Sequence, residues 1–166
     1  LAGTALAERG AYVTKVERPP HGDVTRSWKT KHENAENASS AYYEGANGEK
    51  EVVWQDLATA AGQAWLEQAL ASHDVLIENF KRSDLTKFNL DPEDLAARHP
   101  HLVRVRLVGF DDAPERLAYD VVVQAETGFM GMNGFEDRPP VRMPVALMDV
   151  LASHQIRMAA LEGLLS

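Results

Sequence analysis

Apolar residues follow two different periodicities along this chain, and the two alternate. Short runs rich in apolar and β-branched residues predict strands at 11–17, 52–54, 74–78 and 102–108. Stretches with apolar residues three and four positions apart predict helices at 1–9, 57–71, 83–88, 92–98, 119–129 and 150–165. Because strand and helix alternate almost throughout, the sequence predicts an α/β fold: a three-layer domain with a largely parallel sheet.

Turn-forming and capping residues set several of the predicted boundaries. Gly10 follows the first predicted helix, where a glycine commonly ends the last turn. Two prolines and a glycine between residues 18 and 23 break both regular structures and predict a loop. Asp91 and Pro92 stand where the N-cap and the first residue of a helix are expected.

Composition and charge narrow the choice of function mainly by exclusion. The 166 residues, 45% of them hydrophobic, are enough for about one domain with its own core. A net charge of −8 argues against binding to nucleic acid or to an anionic membrane. No apolar run is long enough to cross a bilayer, and the lack of cysteine excludes disulfides and thiolate metal sites. We therefore expect a cytoplasmic protein.

Two short motifs suggest metal or phosphate chemistry, and neither has the required spacing. His99-Pro-His101 brings two imidazoles together without an acidic pattern beside them, which favours a solvated helix end over a metal site. Gly128, Gly131 and Gly134 recur at every third position, which is not the GxGxxG of dinucleotide sites, and no Walker sequence occurs. We expect no metal.

Asp149 is the most informative single residue, because it stands alone in the apolar run from Val145 to Ser153. A carboxylate in such surroundings must be paired, must shift its pKa, or must serve chemistry. Two interpretations stay open. A lone acid where a loop meets a helix is typical of a nucleophile or general base, but an Asp there is also the commonest N-cap, and spacing alone favours the cap.

The predicted strands end in polar or aromatic residues where plain connectors would suffice. These residues are Glu17-Arg18, Glu78-Asn79-Phe80 and Gly109-Phe110. Because ligands gather at the carboxyl ends of strands in such sheets, the pattern favours a nucleotide-like ligand.

Several segments occur together in an order and at separations found in one enzyme family. They are Leu6–Glu17, Gly22–Arg26, Asp74–Phe80, Pro100–Val103, Gly109-Phe110, Tyr119–Ala125 with Gly128, Pro139-Pro140 and the segment that holds Asp149. This set resembles the family III CoA-transferases, which include formyl-CoA:oxalate and carnitine CoA-transferases and are related to the α-methylacyl-CoA racemases. Members are more than twice as long, so the resemblance implies that residues 1–166 are the N-terminal part of a Rossmann-like large domain. The smaller domain and a C-terminal segment would be absent.

The resemblance implies a reaction, a substrate and an assembly. Coenzyme A or an acyl-CoA binds as substrate, no metal takes part, and two chains interlock as a homodimer. Asp149 attacks the acyl-CoA thioester to give a mixed anhydride and a CoA thiolate. The thiolate then forms an aspartyl-CoA thioester, which a carboxylic acid acceptor opens. Partial desolvation strengthens such a nucleophile, and glycine-rich backbone can supply donors to the developing oxyanion.

The resemblance also implies a set of CoA contacts. They are Arg18, Gln55, Leu57, Asn79, Phe80, Lys81, Lys87 and Tyr119. Arg18 corresponds to a phosphate or adenosine contact, for which guanidinium chemistry is suited. Gln55 and Leu57 correspond to residues that line the adenine. Ordinary roles stay open for all three: a surface Arg at a strand end, a solvated turn and a helix core.

The remaining implied contacts lie in two other segments. Asn79, Phe80 and Lys81 follow the central predicted strand and match a CoA-contacting segment, although Phe80 taken alone favours core packing. Lys87 stands where relatives have an arginine, which suits a point charge and not a bidentate clamp. Tyr119 matches a tyrosine that contacts pantetheine.

Tyr119 also separates two chemistries. Related racemases have a His-Asp pair at this position, and its imidazole exchanges the α-proton of the substrate together with the later Asp. Here the pair is Tyr119-Asp120, and a phenol, with an ordinary pKa of about 10, is a poor base at neutral pH. This favours a transferase over a racemase and leaves Asp120 as a helix-start cap. A third alternative is a truncated domain that binds CoA or a partner chain without turnover.

Overall fold

Two pairs of parallel strands organise the chain, of which this computed structural model describes residues 1–110, 112–113 and 115–166. The described residues form two compact units. The first comprises Leu1–Asp74 and Lys87–Leu102, and the second comprises Val75–Thr86 and Val103–Ser166. Each unit has one of the strand pairs.

The first unit is built on strands β1 and β2. Its elements are α1 (Ala2–Ala7), β1 (Thr14–Glu17), a 3₁₀ turn (Val24–Ser27), α2 (Ala41–Asn47), β2 (Glu51–Trp54), α3 (Ala60–Ser72) and, later in the chain, α5 (Pro92–Arg98). The strands pair in parallel with Thr14 opposite Glu51 and Glu17 opposite Trp54. Helix α3 buries Leu66 and Leu70, which lie one turn apart on the same face.

The second unit is built on strands β3 and β4. Its elements are β3 (Val75–Glu78), α4 (Arg82–Lys87, whose last residue belongs to the first unit), β4 (Val103–Arg106), α6 (Asp120–Glu126), α7 (Phe129–Met132) and α8 (Leu147–Leu165). The strands pair in parallel with Val75 opposite Val103 and Glu78 opposite Arg106. Helix α8 packs against β4 and buries Ala160 completely. Parallel pairing in both units confirms the predicted α/β class.

Helix α5 matches its prediction, whereas the predicted start of α3 at residue 57 is wrong. Asp91 accepts a hydrogen bond from the Glu93 N–H and caps α5. Helix α3 begins only at Ala60, because the preceding residues form a turn. In this turn the Asp56 carboxylate accepts from the Ala58 N–H, and Thr59 then caps the helix. Leu57 therefore lies in a turn.

The predicted helix at 119–129 is two helices, and α2 was not predicted. Helix α6 ends at Glu126, because Gly128 adopts a left-handed conformation (φ 76°) before α7 begins. Helix α2 has the sequence AYYEGAN, which has little intrinsic helix propensity. Ser40 stabilises its start: the fully buried side chain accepts from the Tyr43 N–H and donates to the Thr25 carbonyl.

Candidate active site

Asp149 lies in the first turn of α8, and of the two interpretations left open by the sequence, the N-cap interpretation is wrong. The helix begins at Leu147, so the N-cap position falls on Ala146, whose side chain has no hydrogen-bond acceptor. Asp149 is the third residue of the helix, and its side chain is exposed. A carboxylate in a first helical turn faces the positive end of the helix dipole while remaining accessible to solutes.

Asp120 supplies the cap that Ala146 cannot. Its Oδ1 accepts a hydrogen bond from the Met148 N–H at 2.7 Å and a longer one from the Asp149 N–H at 3.4 Å. Asp120 is itself the first residue of α6. The prediction that Asp120 caps the start of its own helix is therefore wrong, since α6 has no side-chain cap and Asp120 instead caps α8, 28 residues further along the chain.

The electrostatic environment of Asp149 differs from that of an ordinary surface aspartate. Partial burial, followed in importance by the negative charge of Asp120, raises the pKa of Asp149 above its usual range. A carboxylate with a raised pKa is more basic, and therefore a stronger nucleophile once it is ionised. The charge that caps α8 thus also contributes to the raised pKa of Asp149.

Gln124, on the same helix as Asp120, is the most buried polar residue among those described in the second unit, with 1% of its surface exposed. Its Oε1 accepts from the Met143 N–H at 2.9 Å. Its Nε2 donates to the Asp120 carboxylate and, at 3.4 Å, to the Val145 carbonyl. The sequence prediction missed this residue, although the spacing of Asp120 and Gln124 places both on one face of a helix.

Tyr119 immediately precedes this pair and occupies the N-cap position of α6. Its carbonyl accepts from the Val122 N–H at 2.8 Å, and 65% of the residue is exposed. The phenol is therefore accessible for a ligand contact, and it stands next in sequence to Asp120.

The glycine-rich segment connects α6 to the region before α8. The amide of Gly128 donates to the Ala125 carbonyl, and that of Gly131 donates to the carbonyl of Gly128, so both amides are already used within the segment. Gly134 has a φ of 106°, which only glycine adopts readily. A cleft of about 460 Å³ runs along this segment and is also lined by Arg138.

The carboxyl edge of the first sheet brings together three of the predicted CoA contacts. Arg18 follows β1 directly, and its exposed guanidinium lies 3.6 Å from the Asp56 carboxylate. Gln55 follows β2, and its N–H donates to the Glu17 carbonyl at 2.9 Å. Leu57 is half-buried in the turn that comes next. Arg18, Gln55 and Leu57 therefore belong to one edge of one sheet.

Three further predicted contacts follow β3 in the second unit. Asn79 and Lys81 are exposed, and Phe80 is half-buried, with its N–H donating to the Glu78 carboxylate at 2.8 Å. Lys87 is the last residue of α4 and is also exposed, but it belongs to the first unit. The accessible cations and amide are of types that suit a phosphorylated ligand.

The two glutamates at the strand ends have a different role from the residues beside them. Glu17 is only 3% exposed. Its carboxylate accepts hydrogen bonds from Nε and Nη2 of Arg26, from Nζ of Lys15 and from the hydroxyl of Tyr43. Burial opposes the charge, yet these donors outweigh burial and hold the pKa of Glu17 well below its usual range. Burial and the neighbouring Glu17 raise the pKa of Tyr43.

Glu78 occupies the same place in the second unit and is 5% exposed. Arg104 donates to its Oε1 at 2.7 Å, and the Nε of Arg106 lies 3.6 Å from the same oxygen. Polar residues at the strand ends thus fall into two sets: buried glutamates paired with arginine, and exposed residues available to a ligand. The sequence pattern could not distinguish the two.

The predicted solvated position of His99 is wrong. His99 is 5% exposed, and its Nε2 lies 2.9 Å from Glu67 Oε1, so it connects α5 to α3. Within residues 1–110, 112–113 and 115–166, no group of three or more His, Cys, Asp or Glu side chains could hold a metal ion. In that same part of the chain, no helix is both long and apolar enough to cross a membrane.

The protein is therefore of the α/β class and has a candidate acyl-transfer site. Ligand-accessible residues follow the carboxyl ends of its parallel strands, and an aspartate lies at a helix start after a glycine-rich segment. The chain belongs to CoA-transferase family III, whose model matches residues 1–166. This confirms the resemblance inferred from the ordered motifs.

Individual relatives support the same family. The chain is 39% identical over 155 residues to a succinate–glutarate CoA-transferase of Agrobacterium fabrum, covering 90% of this chain and 39% of that protein. It is 30% identical over 163 residues to a formyl-CoA:oxalate CoA-transferase of Escherichia coli, covering 96% of this chain and 38% of that protein. A crystal structure of a CAIB/BAIF family protein from Brucella suis matches with a TM-score of 0.88 and 34% identity, over 99% of this chain and 44% of that one. The chain therefore spans less than half the length of each.

Proposed function

We propose that this chain is the N-terminal part of the large domain of a CoA-transferase, and that Asp149 is its nucleophile. The observation that carries the proposal is the placement of Asp149 in a family III chain: an exposed carboxylate in the first turn of α8, with its pKa raised. Accessibility lets a thioester approach, and the raised pKa strengthens the attacking oxygen.

The proposed reaction needs no group beyond the two substrates and the aspartate. A carboxylate oxygen of Asp149 attacks the thioester carbonyl of the donor, the C–S bond breaks, and a mixed anhydride and the CoA thiolate result. The thiolate attacks the aspartyl carbonyl, releases the donor acid and forms an aspartyl-CoA thioester. The acceptor carboxylate attacks this thioester and again releases the thiolate, which takes the acceptor's acyl group and regenerates Asp149.

The proposed contacts with CoA are assigned residue by residue. Arg18, Gln55 and Leu57 lie at the carboxyl edge of the first sheet and are assigned to the adenosine and phosphate end. Asn79, Phe80, Lys81 and Lys87 are assigned to the nucleotide as well, and Tyr119, beside the cap of α8, to the pantetheine arm. No metal is assigned a role. The interlocked homodimer and the cytoplasmic location stay predictions.

Short dicarboxylic acids are the first substrates to test. The Agrobacterium fabrum relative is named for succinate and glutarate, and the Escherichia coli relative for formyl-CoA and oxalate. We therefore propose succinyl-CoA as the donor and glutarate and oxalate as acceptors in the first assays.

Trapping of the covalent intermediate tests the proposal directly. The complete polypeptide that carries this chain is incubated with succinyl-CoA and hydroxylamine and analysed by peptide mass spectrometry. We expect a hydroxamate on Asp149 and loss of both hydroxamate and transfer in Asp149→Asn. Glu162→Gln, an exposed acid on the same helix, is the control and should behave as the unaltered protein. Turnover without any adduct at Asp149 would refute the covalent mechanism.

The racemase alternative makes a separate prediction. A racemase incubated with a chiral α-methylacyl-CoA in deuterated water would exchange the α-proton of that substrate. Because a phenol replaces the imidazole that racemases have at the position of Tyr119, we expect no exchange.

A further inference from the structure

We infer that Gln124 is a positioning residue that fixes the start of α8, and with it Asp149, against α6. The inference rests on the proposed role of Asp149 and adds a residue to it. Gln124 is enclosed, with 1% of its surface exposed, so it acts through its neighbours and not by touching a substrate.

The side-chain amide of Gln124 makes hydrogen bonds through both its oxygen and its nitrogen. Its Oε1 accepts from the Met143 N–H at 2.9 Å, and its Nε2 donates to the Val145 carbonyl at 3.4 Å and to the Asp120 carboxylate. Buried amides need all such partners, because an unsatisfied donor or acceptor in an enclosed site is costly. One side chain of α6 therefore holds two backbone groups of the segment that leads into α8.

The surroundings permit only one orientation of this amide. The Met143 N–H requires an acceptor, whereas the Val145 carbonyl and the Asp120 carboxylate require donors. Rotation of the amide by 180° would place its nitrogen opposite the Met143 N–H, donor against donor, and its oxygen opposite both the Val145 carbonyl and the Asp120 carboxylate, acceptor against acceptors. The rotamer of Gln124 is therefore specified by its partners, which makes it a rigid support.

A second path runs from Gln124 to Asp149 through Asp120. Nε2 of Gln124 holds one oxygen of the Asp120 carboxylate, and the other oxygen accepts from the backbone N–H groups of Met148 and Asp149. Gln124 thus acts on the loop before α8 directly and on the first turn of α8 through Asp120. Both paths end at the backbone that carries Asp149.

Gln124→Met tests the inference, because methionine has similar volume and lacks the hydrogen-bonding amide. Val123→Ala on the same helix is the matched control, since it perturbs packing without touching these hydrogen bonds. Both are made in the complete polypeptide and compared by urea denaturation, hydrogen exchange and steady-state transfer from succinyl-CoA to glutarate.

We expect Gln124→Met to lower kcat by about 10- to 100-fold, the range that a small misplacement of a reacting group produces. The KM for acyl-CoA should stay within about twofold, because the assigned CoA contacts are other residues. Exchange of the Met143 and Met148 amides should accelerate at least about tenfold, while the amides of β4 stay protected. Val123→Ala should show neither change.

The outcomes separate this inference from the proposed function. A folded Gln124→Met with the kcat of the unaltered protein, or with unchanged exchange at Met143 and Met148, overturns the positioning role while the mechanism stands. If the unaltered protein neither transfers CoA nor forms the hydroxamate, the proposed function is refuted, and so is a positioning role for Gln124 in that reaction. If Gln124→Met does not fold, Gln124→Glu replaces it, since glutamate keeps the acceptor for Met143 and lacks the donors. A normal kcat in Gln124→Glu would then overturn the inference.

Discussion

Glu17 and Glu78 each end the first strand of a parallel pair and are buried there with arginine partners. A buried carboxylate is tolerated only when it is paired and hydrogen-bonded, and each of these has several donors. Glu17 connects three elements of the first unit: its own strand, the 3₁₀ turn through Arg26, and α2 through Tyr43. Gly22 is required beside it, because a Cβ there would lie 2.2 Å from a Glu17 oxygen.

Replacement of Glu17 by Gln should lower stability and change its dependence on pH. Removing one partner of a buried ion pair leaves uncompensated charge, so we expect a loss of about 3 kcal/mol in the free energy of unfolding at pH 7. The pKa of Glu17 is depressed in the folded state from an ordinary value of 4.5. The stabilisation that ionised Glu17 gives the folded state is therefore complete above pH 4.5, and it is lost as the pH falls from there toward the depressed pKa of the folded state.

Urea denaturation between pH 3 and pH 8 checks this prediction. The unaltered protein should lose stability more steeply below about pH 4.5 than Glu17→Gln does. Glu36→Gln, at an exposed acid in the same unit, is the control and should change stability by less than about 0.5 kcal/mol. Equal acid sensitivity in the unaltered protein and Glu17→Gln would contradict the assigned role.

At the scale of the elements, helix α8 approaches β4 so closely that one of its residues must be glycine. A Cβ on Gly163 would lie 2.4 Å from a methyl carbon of Val103, far inside van der Waals contact. Gly45 on α2 is also helical, but a Cβ there would meet nothing within 4 Å. The same substitution should therefore have opposite effects at the two positions.

We expect Gly163→Ala to destabilise the chain by about 1–3 kcal/mol through overpacking against β4. Gly45→Ala should stabilise it by about 0.5–1 kcal/mol, because alanine loses less backbone entropy in a helix. Denaturation midpoints of the two variants measured side by side test both signs. A neutral Gly163→Ala would mean that α8 can shift away from β4 at little cost.

Element boundaries were predictable where the sequence itself encodes them. Asp91 and Pro92 correctly predicted the N-cap and the first residue of α5, because capping is a local interaction. Helix α2 could not be predicted, since its stability depends on contacts distant in sequence, such as the Ser40 bond to Thr25 and the Tyr43 bond to Glu17. The start of α8 was misplaced for the same reason: the residue that caps it is on α6.

At the scale of the whole molecule, the family could be inferred from the sequence because many weak motifs occur in one order. The sequence could not decide which individual residues belong to the site. Sequence pattern did not separate buried Glu17 from exposed Arg18 beside it, because burial depends on the three-dimensional contacts of each side chain. Gln124 was missed, since a glutamine in a helix has no distinguishing pattern until its partners are known.

We expect the 166-residue chain alone to bind CoA without transferring it, and the complete polypeptide to do both. Residues assigned to CoA lie within this chain, whereas the chain spans 39% of the length of a related transferase. We propose that the acceptor site needs residues beyond those of this chain. Calorimetry with CoA, beside a transfer assay, tests the two halves of this expectation. Turnover by the isolated chain at the rate of the complete polypeptide would show that the acceptor site is contained within it, and an absence of binding would remove the assigned contacts.

The cap that Asp120 provides for α8 has a consequence for how such a site can evolve. The start of α8 is held from α6, by the Asp120 carboxylate 28 residues upstream and by the bonds of Gln124 to Met143 and Val145. We expect that the glycine-rich segment from Gly128 to Gly134, which lies before these contacts, can change in sequence, and even in length, without displacing Asp149. Selection for a different acyl group could then act on that segment while the carboxylate of Asp149, the proposed nucleophile, keeps its place.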